Sequence, residues 1–151
     1  MEDVFAALLY MLQTKDREQR SCKDLAEEAG KAVLVPIQDF QELAKAIDIY
    51  EGRTIKPLLF EKKDTAKRII IPSGASLILL EVEGSSIHFL KDEGDKVGRR
   101  EKIMLVLTGK REVRVVKSPR EGFIISVFTL SHSHPEKYLV VIVGVDDACE
   151  L

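Results

Sequence analysis

Residues 94–122 read GDKVGRREKIMLVLTGKREVRVVKSPREG, and this stretch decides the fold. Ile103, Leu105 and Leu107 alternate with Lys102, Met104 and Val106, and beyond a polar tip Val113 and Val115 alternate with Glu112 and Arg114. That period of two predicts a pair of half-buried strands. Between them lies Thr108-Gly109-Lys110-Arg111. Gly109 can adopt a positive φ without steric cost, so Gly109-Lys110 fits the central pair of a type II′ turn, with Lys110 at its exposed apex. The break at Val115-Val116 predicts a bulge in the returning strand that keeps Val113 on the buried face.

A lysine on such a tip, with Gly94-Asp95-Lys96-Val97 before it and Pro119-Arg120-Glu121-Gly122 after it, resembles the biotinyl/lipoyl attachment domain over roughly residues 68–143. In that family a GDxV turn leads into a strand, a modified lysine follows on a β-turn, and the returning strand ends in a Pro-x-x-Gly turn. The resemblance implies a flattened β-barrel of two four-stranded sheets, the barrel-sandwich hybrid, with biotin or lipoate on Lys110 as the cofactor of a swinging-arm carrier. The chain departs from the pattern at three places. Lys110 lies between Gly109 and Arg111 rather than between methionines or an acid and an alanine. It stands nine residues before Pro119, where the family has eight, which leaves Arg111 in the strict position. Arg100 occupies a position where the family has glycine, and Gly98 comes two residues early. The chain also resembles an archaeal family of uncharacterised proteins built on this domain.

Working outward, short apolar runs and turns continue on both sides. Ile69–Ile71 ends at Pro72-Ser73-Gly74, and Ser76–Glu83, Ile87–Leu90, Phe123–Leu130 and Tyr138–Val145 read as further strands. The fold class is therefore mainly β, with a small helical or mixed α/β N-terminal region. Val4, Phe5, Leu8, Leu9, Met11 and Leu12 make a helical stripe over 1–14, and Ser21 to Gly30 reads as a capped second helix. That second helix carries Asp24, Glu27 and Glu28, the wrong sign for a helix that reads DNA. Ala32–Ile37 suggests an edge strand and Gln38–Ile47 a short helix, and Thr54–Phe60 a strand interrupted by Pro57. The charged run Glu61–Arg68 marks a junction, dividing the chain into an N-terminal region 1–66 and a biotinyl/lipoyl-like β domain 67–151.

The formal charge of −2 argues against a chain that coats nucleic acid, and no apolar stretch has the length of a membrane span. Cys22 and Cys149 lack metal or redox spacing, which predicts reduced, packed thiols and a cytoplasmic protein. His132-Ser133-His134 has a spacing that metal sites use, but Pro135 marks it as a loop without further ligands, so no metal is expected. Neither GxSxG, nor a P-loop, nor GxGxxG after a strand occurs, and no catalytic residue is assigned. From Lys91 to Arg120 ten Lys or Arg face five Asp or Glu, so the hairpin is locally basic. Arg99, Arg100, Arg111, Arg114 and Arg120 are candidates for an anion or partner surface.

The expectation is a non-catalytic module that docks a protein partner or serves as a scaffold, without a standard modification motif. A carrier modified on Lys110, and phosphate or RNA binding through residues 99–120, are the other readings. The sequence leaves a homo-oligomer open.

Overall fold

Strand β12 (Glu136–Gly144) shows how the core is laid out. Its run Val140, Val141, Ile142, Val143 is buried at every position, which requires cover on both faces of the sheet. Val140 and Ile142 pack in one apolar cluster with Ile124, Val97, Ile103, Met104 and Val106. Val141 and Val143 pack in a second cluster with Phe123, Ile125, Leu58, Phe60, Ile69, Ile71 and Leu43. Each buried aliphatic side chain contributes roughly 1.5–3 kcal/mol, so this one strand anchors both layers.

The computed structural model describes residues 33–35, 40–62, 67–133 and 135–150. Its elements in order are β1 (Val33–Val35), α1 (Phe40–Ala46), β2 (Ile47–Asp48), β3 (Arg53–Thr54), β4 (Leu58–Lys62), β5 (Lys67–Ile71), β6 (Leu77–Gly84), β7 (Ser86–Phe89), β8 (Lys96–Val97), β9 (Lys102–Leu107), β10 (Val113–Lys117), β11 (Gly122–Ser131), β12 and β13 (Cys149–Glu150). Among the described residues the protein is mainly β, with one short α-helix and a single 3₁₀ turn at Val145–Asp147.

A central sheet of order β6-β12-β11-β8 is covered on one face by a three-stranded sheet, β10-β9-β7. On the other face lie α1 and the sheet β1-β4-β5-β13. Among the described strands all pairings are antiparallel except β1 with β4. Strand β1 lies at a sheet edge, as Pro36 beside it leads one to expect. Glu61 pairs with Arg68 and Lys62 with Lys67, so strand pairing crosses the stretch read as a junction. Residues Ala32–Leu151 form one compact unit by their contacts.

Three turns fix how the strands join. Thr54, buried in the first, donates its hydroxyl to Pro72 O at 2.7 Å and accepts the Ala75 N–H at 2.9 Å. The run expected as one strand over Thr54–Phe60 is divided into β3 and β4 around Ile55–Pro57, where proline cannot supply a ladder donor. In the second turn Gly94, at φ 87°, gives its N–H to Ile124 O, and Asp95 O accepts from Ile124 N–H. In the third, Gly122 lies so close to the backbone of Val143 that a side chain has no room, and Ser118 donates its hydroxyl to Arg120 O.

The hairpin β9–β10 exists as expected, but its details differ from the sequence reading. The register shift lies between Val116 and Lys117, and the additional residue is Ile103 on the outgoing strand, because Lys117 faces Lys102 while Val116 faces Met104. This bulge reverses the alternation after Ile103. Met104 and Val106 turn into the core, whereas Leu107, Val113 and Val115 are 39%, 63% and 42% exposed. Val113 is therefore not on a buried face.

Cys149 is disulfide-bonded rather than a free thiol. The helical stripes expected over 1–14 and 21–30 lie outside the described residues, as does His134. No helix among the described residues is long and apolar enough to cross a membrane.

Candidate functional site: the hairpin tip

The tip is a three-residue loop, Gly109-Lys110-Arg111. Thr108 N–H donates to Glu112 O at 2.8 Å, and Arg111 N–H donates back to Thr108 O at 3.1 Å. Arg111 takes the left-handed conformation at φ 61°, while Gly109 is not among the residues with positive φ. This is the turn that closes three-residue hairpins, with its left-handed residue in third place. The type II′ turn centred on Gly109-Lys110 is thereby corrected. The returning strand β10 carries no additional residue, since the register shift falls on β9. Thr108, Gly109, Lys110 and Arg111 nevertheless form one exposed apex, with Lys110 and Arg111 in solvent.

The turn between β6 and β7 supports this apex from below. Ser85 N–H and its Oγ both donate to Leu107 O, at 2.8 and 2.9 Å, and Oγ also lies 3.3 Å from Thr108 O. Gly84 packs against the Val106 side chain so closely that a Cβ would collide with it. Between Glu83–Ser85, Thr108-Gly109 and Pro135 an open groove of about 490 Å³ borders the apex.

At the far end of the hairpin, Arg100 adopts φ 66°. Its N–H donates to Ser118 O, and Ser118 N–H donates to Glu101 O, both at 2.8 Å. Glu101 Oε2 accepts the Gly98 N–H at 2.8 Å, and that hydrogen bond, with Lys91 beside it, holds the Glu101 carboxyl below its ordinary range. Arg100, where the family resemblance places glycine, thus carries the conformation a glycine would favour. Sequence alone gave no signal that an arginine keeps it.

The candidate cations fall into two groups. Arg111 stands with Lys110 at the tip and Arg114 one step down the strand opposite Val106, whereas Arg99, Arg100 and Arg120 stand at the base, roughly 13–20 Å away along the strands. The Arg120 guanidinium lies 3.3 Å from the position a Gly144 side chain would occupy. No single patch gathers all five.

Glu93 is not among the candidates drawn from the sequence. It is only partly exposed, and its Oε1 accepts the Val127 N–H at 2.8 Å, on the side of β11 that β8 no longer covers. Burial pushes its carboxyl above the ordinary range, partly offset by that hydrogen bond. Its neighbour Asp92 is held low by Lys62, 3.1 Å away. Among the described residues no group of three or more His, Cys, Asp or Glu is placed to hold a metal ion.

The model of a family described as "uncharacterized protein conserved in archaea" (DUF2118) matches residues 10–145, and the chain belongs to that family. No curated protein matches it.

Proposed function

We propose that this member of the archaeal family is a non-catalytic docking module whose β-rich part has biotinyl/lipoyl-like architecture and whose hairpin meets a protein partner. The observation that carries this reading is the exposure of Leu107, Val113 and Val115 together. Leu107 pairs directly with Val113 and Leu105 with Val115, so these side chains share one face of the sheet, next to the tip. Apolar groups of this size left in water on neighbouring strands favour a partner that covers them. The GDKV turn, the left-handed Arg100 and the Gly122 turn support the architectural part of the reading.

A carrier modified on Lys110 is the second reading. Lys110 is exposed on a two-stranded support beside an open groove, as a tethered arm requires. Anion binding by a single surface has less support, because the arginines divide between tip and base.

One preparation tests the two leading readings. The intact mass of the protein purified from its native host equals the sequence mass if the docking reading holds, and exceeds it by a biotinyl or lipoyl group if Lys110 is a carrier site. In the same host, partners captured by the wild type are lost with Leu107→Glu/Val113→Glu, while Arg99→Glu, at the base of the hairpin, leaves capture unchanged. Equal capture by both variants refutes docking through this face.

A further inference from the structure

Among the described residues strand β10 is the edge of its sheet, with β9 on one side only. The hydrogen bond between Thr108 N–H and Glu112 O sets the alternation along it. Arg114 and Val116 turn their backbone groups toward β9, and Val113, Val115 and Lys117 turn theirs outward along the edge. The side chains are sorted as well. Val113 and Val115 lie on the exposed apolar face with Leu105 and Leu107, whereas Arg114 lies on the opposite face, opposite Val106. Between residues 110 and 117 four cations, Lys110, Arg111, Arg114 and Lys117, stand against one acid, Glu112. None of the four cations takes part in an ion pair among the described residues.

Resting on the docking reading, we infer that β10 accepts an added antiparallel or parallel strand from a partner protein, and that this strand alternates apolar and acidic residues. Its backbone bonds to the outward groups of Val113, Val115 and Lys117. Its apolar side chains continue the face made by Val113, Val115 and Leu107, and its acidic side chains lie on the opposite face beside Arg114, with Lys110 and Arg111 next to them at the tip. Edge strands recruit partners in this way through main-chain hydrogen bonds, with alternate side chains supplying selectivity. Charge decides the occupant. A second antiparallel copy of β10 centred on Arg114 would set Arg114 against its counterpart and Lys117 against Arg111, and in any register it brings four cations and one acid against the same excess of positive charge. An acidic strand finds the same positions attractive, so charge disfavours self-pairing and favours that partner.

The test uses the full chain and a fluorescent peptide about eight residues long that alternates valine and glutamate, the length of an ordinary strand. Binding is followed by anisotropy. Val115→Pro removes an outward donor without touching the β9 ladder, which an edge strand tolerates. It is expected to weaken binding at least about tenfold while the thermal midpoint stays close to wild type, and Arg114→Glu does the same by reversing charge. A peptide alternating valine and lysine is expected not to bind. If the glutamate peptide fails to bind, binds Val115→Pro as well as wild type, or is matched by the lysine peptide, edge recruitment is overturned. If Leu107→Glu abolishes binding and Val115→Pro does not, the docking face stands and the added strand falls. Tighter binding of a single-stranded RNA than of the peptide also overturns the inference.

Discussion

Ser85 places both its backbone N–H and its hydroxyl on the carbonyl oxygen of Leu107, at 2.8 and 2.9 Å. Two donors on one acceptor tie the β6–β7 turn to the last residue of β9. The tip therefore rests on a fixed base although its own residues are exposed, and the side of Leu107 that faces solvent is held in place.

Ser85→Ala removes one of the two donors and leaves the other. The side chain is partly exposed, so the expected loss is about 0.5–1 kcal/mol. Gly84→Ala forces a methyl group against Val106 and is expected to cost more, about 1–3 kcal/mol. Urea unfolding with unchanged slope checks both values and their order.

Arg111→Gly is expected to stabilise the protein by about 0.5–1 kcal/mol. Relief of the left-handed backbone exceeds the extra freedom that glycine gives the unfolded chain. Gly109→Ala is expected to be neutral or slightly stabilising, since nothing lies within 4 Å of the added carbon. A type II′ turn demands the opposite pattern, with Gly109→Ala costing about 1 kcal/mol and Arg111→Gly gaining nothing. Thermal midpoints of the two variants decide between the loops.

Gly122→Ala is expected to destabilise by at least about 2 kcal/mol, because the new side chain meets the Val143 backbone, which cannot move without breaking the β11–β12 ladder. Gly98→Ala, with nothing within 4 Å of its added carbon, serves as the control and stays within about 0.5 kcal/mol of wild type. Chemical denaturation of both variants measures the contrast.

The raised carboxyl of Glu93 predicts a pH-dependent difference. An acid whose folded-state pKa lies above its unfolded value contributes stability that is complete below the unfolded value and is lost as pH rises through the folded one. Glu93→Gln keeps an oxygen for the Val127 N–H but carries no charge. Relative to wild type, the variant is expected to gain stability as pH rises through and above the ordinary carboxylate range, and to differ little below it. A flat difference across that range, by calorimetry at each pH, contradicts the assignment.

The hairpin was legible because its signals are local. Alternating Ile, Leu and Val around Thr108-Gly109-Lys110-Arg111 produce two strands and an exposed bend in almost any surroundings. Turn type was less legible. A glycine at 109 offers a positive φ but does not compel one, and the backbone placed that conformation on Arg111 instead.

Which side of a strand is buried is a different kind of property, decided by whatever packs against it. One additional residue at Ile103 turned Met104 and Val106 inward and left Val113 and Val115 in solvent, and no window of sequence fixes where such a bulge falls. The same holds for Glu93, whose surroundings come from β11, 34 residues further along the chain. Composition and periodicity by themselves determined a mainly β chain with its bend at residues 108–111, since both follow from short-range sterics and the two-residue repeat of a strand. Only the tertiary structure decided which cations share a surface and which apolar side chains remain uncovered, because those depend on layer contacts between residues far apart in sequence.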